Sequence, residues 1–492
     1  MMRKEKKLST INANSAATSS SETCHLLING EWVEGAAETV TVLDKYSQEP
    51  IAVAASASDD QIAVMIDAAH AAFKRGAPDN YERGSILERA AVLIDENRED
   101  LAKTIQAEAG FTRSDANGEI SRCLQTLRLS AEEARRLSGD VVPIAGAPGQ
   151  SHRMAFTLRV PLGVVLAVTP FNSPLNTVMH KVAPALAAGN AVIVKPSSNT
   201  PITTCKMAEI LLQAGLPKGL LSVLHGGARV VGKAMEDQRV RFIAFTGSTE
   251  VGRAIQSKAD LRRTQMELGS IAFTIINDDA DLDMALPKVV SAGFRKAGQV
   301  CTSVQMLLVQ RSVYDNVVAK MTDLVKAVPF GDPGNETTVT GPLITIDAAI
   351  RVEEWIKEAV AKGARQLVGG PREGAVVPPT LLVDVSADMR VGCQEVFGPV
   401  VSIIPFDAMD EAFDRVNSTP YGLASGIFTN RMSDAFAAVR RLEVGGVHVN
   451  ETSSSRVDLM PYGGSKDSGF GREGPHYAIH ELTEERVVSI TA

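Results

Sequence analysis

Short runs of β-branched and apolar residues, separated by helical patterns, constrain the fold of this 492-residue chain more than any other feature. Between residues 163 and 248 the apolar runs are GVVLAV, NAVIVKP, GLLSVLHGG and RFIAFTGS, and helical stretches such as NTVMHKVAPALAAG lie between them. Runs that are continuously apolar, rather than alternating, are typical of strands buried on both faces of a parallel sheet. The pattern therefore predicts βαβ units in an open α/β sheet, whose ligands bind at the carboxyl ends of the strands.

A second section of the same kind, from about residue 267 to 451, predicts another α/β domain, because a chain of this length is too long for one core. Before these sections, Asn29 and Gly30 predict a hairpin turn, and residues 59–137 carry helical patterns, one of which ends at Gly110 as a C-cap. The final EERVVSI predicts a terminal strand, which is either an edge strand of its own sheet or a strand that pairs with another subunit.

Composition argues against several classes of protein. A net charge of −8 and the lack of a basic stripe with interleaved aromatic residues argue against nucleic-acid binding. No apolar run approaches the roughly 20 residues of a membrane span, so no membrane association is expected. The first 25 residues lack the apolar segment of a secretory signal and are expected to be a disordered tail; an organellar presequence is the alternative, against which the single arginine, Arg3, argues. The five cysteines form no CxxC pair, which predicts a reducing, cytoplasmic location and no metal site.

Two polar residues near the ends of predicted strands have both a chemical and a structural interpretation. Asn172, in the loop TPFNSPLN, follows a buried strand and offers an amide for an oxyanion, unless it only satisfies the turn. Glu267, in MELGS, lies between apolar neighbours, where burial raises the pKa of a carboxyl group towards that of a general base. A structural ion pair is the alternative for Glu267.

Two further loops favour a nucleotide. In FTGSTEVGRAI, Gly247, Ser248 and Gly252 join a strand to a helix, and small residues there let a diphosphate approach the backbone amides. This stretch is not the GxGxxG fingerprint, so it is a weak signal by itself. In CQEVFGPVV, Glu395 could bind ribose hydroxyls and Phe397 could flank a ring, whereas a capped turn over a core phenylalanine is the structural alternative.

Cys301, in KAGQVCTSVQ, does not by itself indicate a functional role, because a lone cysteine is most often an inert core residue. Only the other motifs can support a chemical role for it. No GxSxG, HExxH, Walker A or EF-hand pattern offers a competing chemistry. A cysteine hydrolase would need a positioned histidine, and the candidates His180 and His225 have no supporting motif.

Seven stretches, taken in order, resemble the aldehyde dehydrogenase superfamily: TPFNSPL, GNAVIVKPS, FTGSTEVG, MELGS, AGQVC, EVFGPV and MPYGGSKDSGFGREG. The resemblance covers the chain from about residue 26 to its end. It implies an α/β fold that forms homodimers or homotetramers. The implied parts are a disordered tail (1–25), a Rossmann-like coenzyme domain (26–136 and 161–267), an α/β catalytic domain (268–462) and a small β oligomerisation arm (137–160 and 478–492).

The resemblance also implies a reaction, the NAD(P)-dependent oxidation of an aldehyde to the carboxylic acid. The thiolate of Cys301 would attack the carbonyl group to form a thiohemiacetal, while Asn172 and the backbone N–H of Cys301 would hold the oxyanion. Hydride transfer to the nicotinamide would leave a thioester, which water activated by Glu267 would hydrolyse. Lys181 matches a lysine that supports the site in this family. The pKa of an unperturbed thiol, about 8.5, is expected to need only modest lowering.

The expected coenzyme is NADP or NAD. By resemblance the residues that bind it are Thr169, Pro170, Lys195, Ser198, Gly226, Gly247, Ser248, Gly252, Leu268, Glu395 and Phe397. Ser198 stands where members that prefer NAD often carry a glutamate, which repels the 2′-phosphate of NADP, and Lys195 adds a positive charge. We therefore expect NADP to be accepted, with a preference for NADP as the stronger form of this hypothesis.

The expected substrate is a small aldehyde or semialdehyde. Arg456 lies in the stretch that lines the substrate mouth in the family and could pair with a carboxylate or sulfonate tail; Arg113 and Arg122 are further candidates. Val300 stands where members that act on phosphorylated aldehydes can carry arginine, which argues against such substrates. Ser270 replaces a glycine that is usual in the family, and we expect this change to be tolerated.

Three alternatives stay open at this point. An enzyme that passes the acyl group to coenzyme A would make Glu267 redundant, which argues against it. A cysteine esterase or hydrolase would act without a nicotinamide coenzyme. A binding protein without catalysis would need a decayed site, whereas Asn172, Glu267 and Cys301 are all present.

Overall fold

The computed structural model describes residues 22–491, and strands and helices alternate along most of this stretch. The strands are β1 (Glu22–Cys24), β2 (Leu26–Ile28), β3 (Glu31–Val33), β4 (Thr39–Leu43), β5 (Pro50–Ala55), β6 (Val141–Val142), β7 (Arg153–Pro161), β8 (Val164–Val168), β9 (Ala191–Lys195), β10 (Leu221–Val223), β11 (Val240–Thr246), β12 (Arg263–Glu267), β13 (Ala272–Ile276), β14 (Val304–Gln310), β15 (Arg365–Val368), β16 (Thr380–Val383), β17 (Val400–Phe406), β18 (Tyr421–Gly422), β19 (Ala424–Phe428), β20 (Gly446–Val449), β21 (Ser465–Lys466), β22 (Gly469–Phe470) and β23 (Thr483–Thr491). The helices are α1 (Asp59–Arg75), α2 (Asn80–Glu96), α3 (Arg98–Ala109), α4 (Arg113–Arg136), α5 (Asn176–Ala187), α6 (Pro201–Gln213), α7 (Ala228–Glu236), α8 (Thr249–Ala259), α9 (Leu282–Phe294), α10 (Tyr314–Lys326), α11 (Ile346–Ala361), α12 (Arg390–Cys393), α13 (Met409–Asn417), α14 (Met432–Arg441) and α15 (Pro475–Glu481). Across residues 22–491, every helix falls short of the length or the apolar character that a bilayer crossing requires.

The first large sheet has eight strands in the order β22-β12-β11-β8-β9-β10-β2-β3. Its central strands, from β12 to β10, run parallel, and β8 and β9 are buried along their whole length, as their continuous apolar runs predict. The chain moves outward from β8 to β9 and β10 and then returns to place β11 beside β8. The carboxyl ends of β8 and β11 therefore flank a crevice of the kind that binds ligands in open α/β sheets.

The second large sheet has seven strands in the order β15-β16-β17-β14-β13-β19-β20, and all its neighbours are parallel except β15 and β16. It confirms the second α/β region that the sequence pattern predicts. The chain passes from the first sheet to the second between the end of β12 at Glu267 and the start of β13 at Ala272. Residues on both sides of this crossing consequently lie at the junction of the two sheets.

A separate small sheet consists of β6, β7 and β23, and none of these strands pairs with a strand of the two large sheets. The terminal strand β23 pairs antiparallel with β7 of its own chain along its whole length, from Thr483 opposite Pro161 to Thr491 opposite Arg153. The helix before it, α15, packs its buried Ala478 into the core of the eight-stranded sheet. The strand of the predicted arm therefore begins at Thr483, and the residues from 478 to the end of α15 belong with the helices around the first sheet.

The N-terminal region both corrects and confirms the sequence-based predictions. Residues 22–24 form β1, which pairs in parallel with β5, so the predicted tail does not extend to residue 25; residues 1–21 lie outside the described residues. Asn29 and Gly30 have φ angles of 51° and 76° and join β2 to β3 as a hairpin, as predicted. Gly110, with φ of 71°, ends α3 in the left-handed conformation of a C-cap, also as predicted.

Candidate active site

A cavity of about 820 Å³ lies where the two large sheets meet. The eight-stranded sheet contributes the carboxyl ends of its strands, with Thr169 after β8, Lys195 at the end of β9 and Gly247 after β11. The seven-stranded sheet contributes the segments that lead into its strands, with Cys301 before β14 and Glu395 before β17. Opposed strand ends thus gather residues that are far apart in the chain.

The segment that carries Cys301 has an unusual backbone. Lys296, Ala297 and Gly298 have φ angles of 52°, 53° and 69°, so three consecutive residues are left-handed. A Cβ atom at Gly298 would collide with the carbonyl oxygen of Gly398, which explains the glycine there. Two non-glycine residues in this conformation carry local strain, of the kind that clusters at active sites. The turn ends the helical run and leaves Cys301 partly buried at the cavity wall.

The surroundings of Cys301 raise the pKa of its thiol. Burial raises its pKa to about 11; the hydrogen bond to Tyr462 lowers the pKa, and the charge of Glu395 raises it. The distance from Cys301 Sγ to Tyr462 Oη is 2.7 Å. Formation of the thiolate therefore requires a larger lowering of this pKa than the modest one expected from the sequence, because burial and two carboxyl groups, of Glu395 and Glu267, disfavour the thiolate.

Asn172 is held against the Cys301 loop. Its Nδ2 donates a hydrogen bond to the carbonyl oxygen of Gln299 at 2.9 Å. A side-chain amide has two N–H donors, so this bond fixes the side chain and leaves the second donor for an oxyanion. Gln299 is itself fixed, because its Oε1 accepts from the backbone N–H of Ile344 at 2.9 Å.

A buried ion pair also joins the Asn172 loop to the segment before Cys301. Lys296 Nζ lies 2.9 Å from Glu119 Oε2, with 9% and 1% of the side chains exposed, and it also donates to the carbonyl oxygen of Asn172 at 3.2 Å. The other oxygen of Glu119 accepts from Ser173 Oγ at 2.6 Å and from the backbone N–H of Asn176 at 2.8 Å. Glu119 on α4 therefore ties the Asn172 loop to the segment that precedes Cys301.

Glu267 ends β12 at the cavity wall, where it is 3% exposed and neither carboxyl oxygen has a hydrogen-bond partner. Burial raises its pKa well above the usual value, and the charge of Glu473 raises it further, against Lys181 and Arg456. A Cβ atom at Gly463 would lie 2.9 Å from Glu267 Oε1, so the glycine-rich loop packs closely on this carboxyl group. Once this carboxyl group is ionised, both of its oxygens are free to accept a proton from water.

Charged side chains form a network behind Glu267. Glu473 Oε1 lies 3.1 Å from Lys181 Nζ, and Glu473 Oε2 lies 2.9 Å from Arg456 Nη2. Burial alone would raise the pKa of Glu473, but Lys181 and Arg456 lower it to about 2, so this carboxylate is ionised. The guanidinium carbon of Arg456 lies 3.8 Å from the centre of the Tyr462 ring. Lys181, fully buried, supports the wall and does not line the cavity itself.

The coenzyme end of the cavity matches most of the predicted residues. Those that line it are Thr169, Pro170, Lys195, Ser198, Gly247, Ser248, Leu268, Glu395 and Phe397. Burial lowers the pKa of Lys195 to about 8, and its amine has no hydrogen-bond or ion-pair partner among residues 22–491. The hydroxyl group of Thr169 also lacks a partner. Free polar groups beside the N-terminus of α8, which Ser248 caps, fit a phosphate-bearing dinucleotide.

Glu395 and Phe397 both line the cavity, Glu395 beside Gly269 and Phe397 beside Phe171. Glu395 Oε1 accepts from the backbone N–H of Ser270 at 3.0 Å, and burial raises the pKa of this carboxyl group to about 7. A Cβ atom at Gly269 would lie 2.9 Å from Glu395 Oε2. Phe397 packs edge-to-face on Phe171, with ring centres 5.8 Å apart. This arrangement fits one face of a flat ring, as expected for the nicotinamide.

Five predicted residues do not line the cavity: Lys181, described above, two glycines and two arginines. Gly252 packs against Leu268, which a Cβ atom there would hit, and a Cβ atom at Gly226 would lie 2.6 Å from Val230, so both glycines act through close packing. Arg113 is not brought to the site, because it forms an ion pair with Glu99 of α3. Arg122 is occupied by a two-point contact with buried Asp458, at 2.7 and 3.2 Å.

Residues 32–488 match the family model described as aldehyde dehydrogenase family. The chain belongs to the aldehyde dehydrogenase family. Membership confirms the predicted enzyme class, an NAD(P)-dependent aldehyde dehydrogenase, and the predicted α/β fold.

Individual relatives cover nearly the whole chain. The 3-sulfolactaldehyde dehydrogenase of Priestia megaterium is 47% identical over 94% of this chain and 97% of its own length. Aldehyde dehydrogenase 21 of Physcomitrella patens, solved with the reaction product succinate, has a TM-score of 0.93 at 36% identity and covers 96% of this chain and 99% of its own. The NADP-dependent glyceraldehyde-3-phosphate dehydrogenase of Bacillus halodurans, solved with NADP, has a TM-score of 0.93 at 35% identity and covers 95% and 99%.

Sequence reasoning missed several residues of this aldehyde dehydrogenase site, notably Tyr462, Glu473, Glu119 and Arg295. Arg295 is the C-cap residue that follows α9, and its Nη2 donates to Ser454 Oγ at 2.7 Å, its only side-chain hydrogen bond among residues 22–491. Ser454 also accepts from Thr302, the neighbour of Cys301, at 3.4 Å. The adjacent basic residues of FRKAGQVC were an available signal, since a cation placed shortly before a nucleophile invites a search for its partner.

Proposed function

We propose that this enzyme oxidises short aldehydes with an anionic tail, preferentially with NADP, and that Cys301 is its nucleophile. The observation that carries the substrate class is Arg295, a partly buried guanidinium group whose charge acts on Cys301. Arg295 lies behind the residues that line the cavity and forms no ion pair with a carboxylate among residues 22–491. Burial lowers the pKa of Arg295, and the nearby charge of Arg122 lowers it further, whereas the Asp115 carboxylate raises it. A buried cation without a counter-ion favours an anionic ligand, because the ligand restores the missing charge pair.

Two other arginines near the site, Arg456 and Arg122, are already neutralised, whereas Arg351 lines the cavity and contacts the carbonyl oxygen of Val396 and the ring of Trp355. Arg456 lines the cavity but forms an ion pair with Glu473, and Arg122 forms one with Asp458. Arg456 keeps one donor, its Nε, without a partner. In this proposal Arg295 supplies the charge that selects the tail, and Arg456 contributes a secondary hydrogen bond.

The catalytic assignment follows the geometry of the cavity wall. Cys301 attacks the aldehyde carbon, and the free N–H of Asn172 with the backbone N–H of Cys301 holds the oxyanion. NADP, when bound, accepts the hydride. Glu267 then takes a proton from water that attacks the thioester at Cys301, and its unpartnered oxygens favour this hydrolytic route over acyl transfer to coenzyme A.

The relatives support an anionic substrate. The name 3-sulfolactaldehyde dehydrogenase specifies a sulfonate-bearing aldehyde, and the Physcomitrella patens structure holds succinate, a dicarboxylate. The preference for NADP rests on Ser198 and on the unpaired Lys195 amine, since neither repels a 2′-phosphate. A ratio of kcat/KM for NAD over NADP well above one, at limiting coenzyme, would overturn the coenzyme proposal.

We also propose a homodimer or homotetramer that assembles through the sheet of β6, β7 and β23. The outer side chains Val141, Met154, Leu158 and Val487 of this sheet are exposed apolar residues. Apolar side chains beside an unpaired strand edge are typical of an interface with a second copy. Light scattering after gel filtration of Val487→Asp should give a smaller mass than the wild type; an unchanged mass would place the interface elsewhere.

The decisive substrate test uses two aldehydes that differ by a sulfonate. Wild type should show a higher kcat/KM for 3-sulfolactaldehyde than for lactaldehyde, and Arg295→Gln should lower the first value by about 10- to 100-fold, the scale of a charge-assisted hydrogen bond. The value for lactaldehyde should change little. Arg365→Gln, which removes an exposed guanidinium paired with Asp384, is the control. Equal losses for both aldehydes would contradict the assignment.

A further inference from the structure

Tyr462 touches the sulfur atom on which the proposed reaction depends. Its hydroxyl oxygen lies 2.7 Å from Cys301 Sγ, which is a short contact for oxygen and sulfur. We propose that Tyr462 is a further catalytic residue, whose hydroxyl group donates a hydrogen bond to the Cys301 thiolate and holds Sγ in place for attack. This inference rests on the proposed role of Cys301 as the nucleophile.

The backbone fixes the position of this hydroxyl group. The N–H of Tyr462 donates to the carbonyl oxygen of Glu473 at 3.1 Å, and the N–H of Glu473 donates back to the carbonyl oxygen of Tyr462 at 2.7 Å. Glu473 is itself held by Lys181 and Arg456. The tyrosine is therefore anchored to the buried charge network, and its hydroxyl group is presented to Cys301 without a flexible loop between them.

The contact with Arg456 polarises the ring. The guanidinium carbon lies 3.8 Å from the ring centre, and a cation over an aromatic face withdraws electron density from the phenol. A polarised phenol is a stronger hydrogen-bond donor, and donors to charged acceptors form stronger bonds than neutral pairs. Tyr462 and Arg456 thus act in sequence: the arginine polarises the ring, and the hydroxyl group transmits the effect to sulfur.

The direction of the hydrogen bond follows from the chemistry. In the neutral state either Cys301 or Tyr462 can be the donor. Once the thiol loses its proton, sulfur can only accept, so the tyrosine hydroxyl group must donate. The interaction therefore favours the thiolate over the thiol, in agreement with the lowering effect of Tyr462 on the pKa of Cys301.

The alternative explanation of the contact between Tyr462 and Cys301 is packing alone. In that case the ring of Tyr462 matters for activity and its hydroxyl group does not. Tyr462→Phe separates the two, because phenylalanine keeps the ring and its contact with Arg456 but removes the hydroxyl group. Tyr314→Phe is the matched control, since the Tyr314 hydroxyl group on α10 has no partner and does not line the cavity. Binding of NADP, followed by fluorescence, verifies that each variant is folded.

The test is the rate at which iodoacetamide alkylates Cys301 in the coenzyme-free enzyme between about pH 7 and 9, measured on the Cys301 peptide by mass spectrometry. Below the thiol pKa the rate is proportional to the thiolate fraction, and one pKa unit corresponds to a tenfold change. We expect Tyr462→Phe to lower the rate by about tenfold at each pH, and Tyr314→Phe to leave it unchanged. Rates for Tyr462→Phe that equal or exceed those of wild type would overturn the inference.

Failure of the proposed function is visible in a separate variant. If Cys301→Ala keeps full aldehyde oxidation, Cys301 is not the nucleophile, and both the proposed function and the inference fall. If Cys301→Ala is inactive while Tyr462→Phe alkylates like wild type, only the inference falls. If Cys301→Ala is inactive and Tyr462→Phe is slow in alkylation and lower in kcat with KM nearly unchanged, both stand.

Discussion

The two ends of the cavity are built on different physical principles. The coenzyme end uses strand ends, glycines and single unpaired groups such as Lys195 and Thr169, which come from consecutive strands of one sheet. The aldehyde end uses buried pairs of opposite charge, Lys296 with Glu119 and Lys181 with Glu473, which join segments distant in the chain. The coenzyme end therefore leaves polar groups free to bind a ligand. At the aldehyde end the charged groups bind one another and hold the reacting groups in place.

From this difference we expect substitutions at one end to affect coenzyme binding and substitutions at the other end to affect the chemical step or stability. Changes at the coenzyme end should alter which coenzyme binds and leave the reacting groups intact. Changes at the aldehyde end should alter stability or the chemical step, because each buried charge there depends on a partner.

The largest effect is expected from the nucleophile. Cys301→Ala should lower turnover with every aldehyde by about 10⁴-fold or more, because no other group can form the thioester. Its affinity for NADP should stay within about twofold of wild type, since hydrogen bonds to Cys301 do not hold the coenzyme end. Cys24→Ala, a buried cysteine of β1, should retain activity. Steady-state assays of aldehyde oxidation measure the turnover of each variant, and titration with NADP measures its affinity for the coenzyme.

Breaking the charge network should mainly cost stability. Glu473→Gln leaves Lys181 and Arg456 without their counter-ion, and removal of one partner from a buried pair costs about 3–5 kcal/mol of unfolding free energy. Denaturant unfolding measures the loss. Glu82→Gln, which breaks an exposed pair with Arg89, should cost about 1 kcal/mol or less. Similar losses for both variants would contradict the proposed importance of burial.

Coenzyme choice should change without damage to the chemistry. Ser198→Glu places a carboxylate on the cavity wall near Lys195 and should lower kcat/KM for NADP by about tenfold to 100-fold, because like charges repel across a contact. The value for NAD should be equal or higher. An equal loss with both coenzymes would mean that residue 198 does not contact the distinguishing phosphate.

The smallest effect concerns the dependence of stability on pH. The pKa of Glu267 is raised in the folded state, so the folded protein resists its ionisation and loses stability as pH rises above the unfolded pKa, about 4.3. Glu267→Gln removes this penalty. We expect the variant to be more stable than wild type at pH 7–8 by about 1–3 kcal/mol, the scale of an unpaired buried group, and equal to it near pH 4. A wild type that is more stable throughout this range would refute the argument.

The sequence predicted the coenzyme end better than the aldehyde end for a physical reason. Apolar runs and turn glycines are local patterns, so they located the buried strands, the hairpin at Asn29 and the loop around Ser248. Cys301, Glu267 and Asn172 became candidates because their neighbours form recognisable motifs. Glu119 escaped prediction, since its partner Lys296 is 177 residues away and nothing near either residue encodes the pairing.

Other misses have the same origin. The hydroxyl group of Tyr462 contacts Cys301, which is 161 residues away in the chain. A tyrosine in a glycine-rich loop gives no sequence signal of a contact with sulfur. The predicted role of Arg113 failed to take account of Glu99, which captures it at the surface. The thiol pKa depends on burial and on two carboxyl groups from distant parts of the chain, Glu395 and Glu267, which no local pattern contains. Long-range electrostatics therefore marks the limit of what the motifs could predict.

The most direct test of the account is a rapid-mixing measurement with Glu267→Gln. If Cys301 carries the acyl group and Glu267 activates the water, mixing the variant with NADP and 3-sulfolactaldehyde should give a burst of about one reduced coenzyme per active site, followed by very slow turnover. Mass spectrometry should then find the acyl group on Cys301. Steady turnover at the wild-type rate, or an acyl group on any other residue, would contradict the central claim.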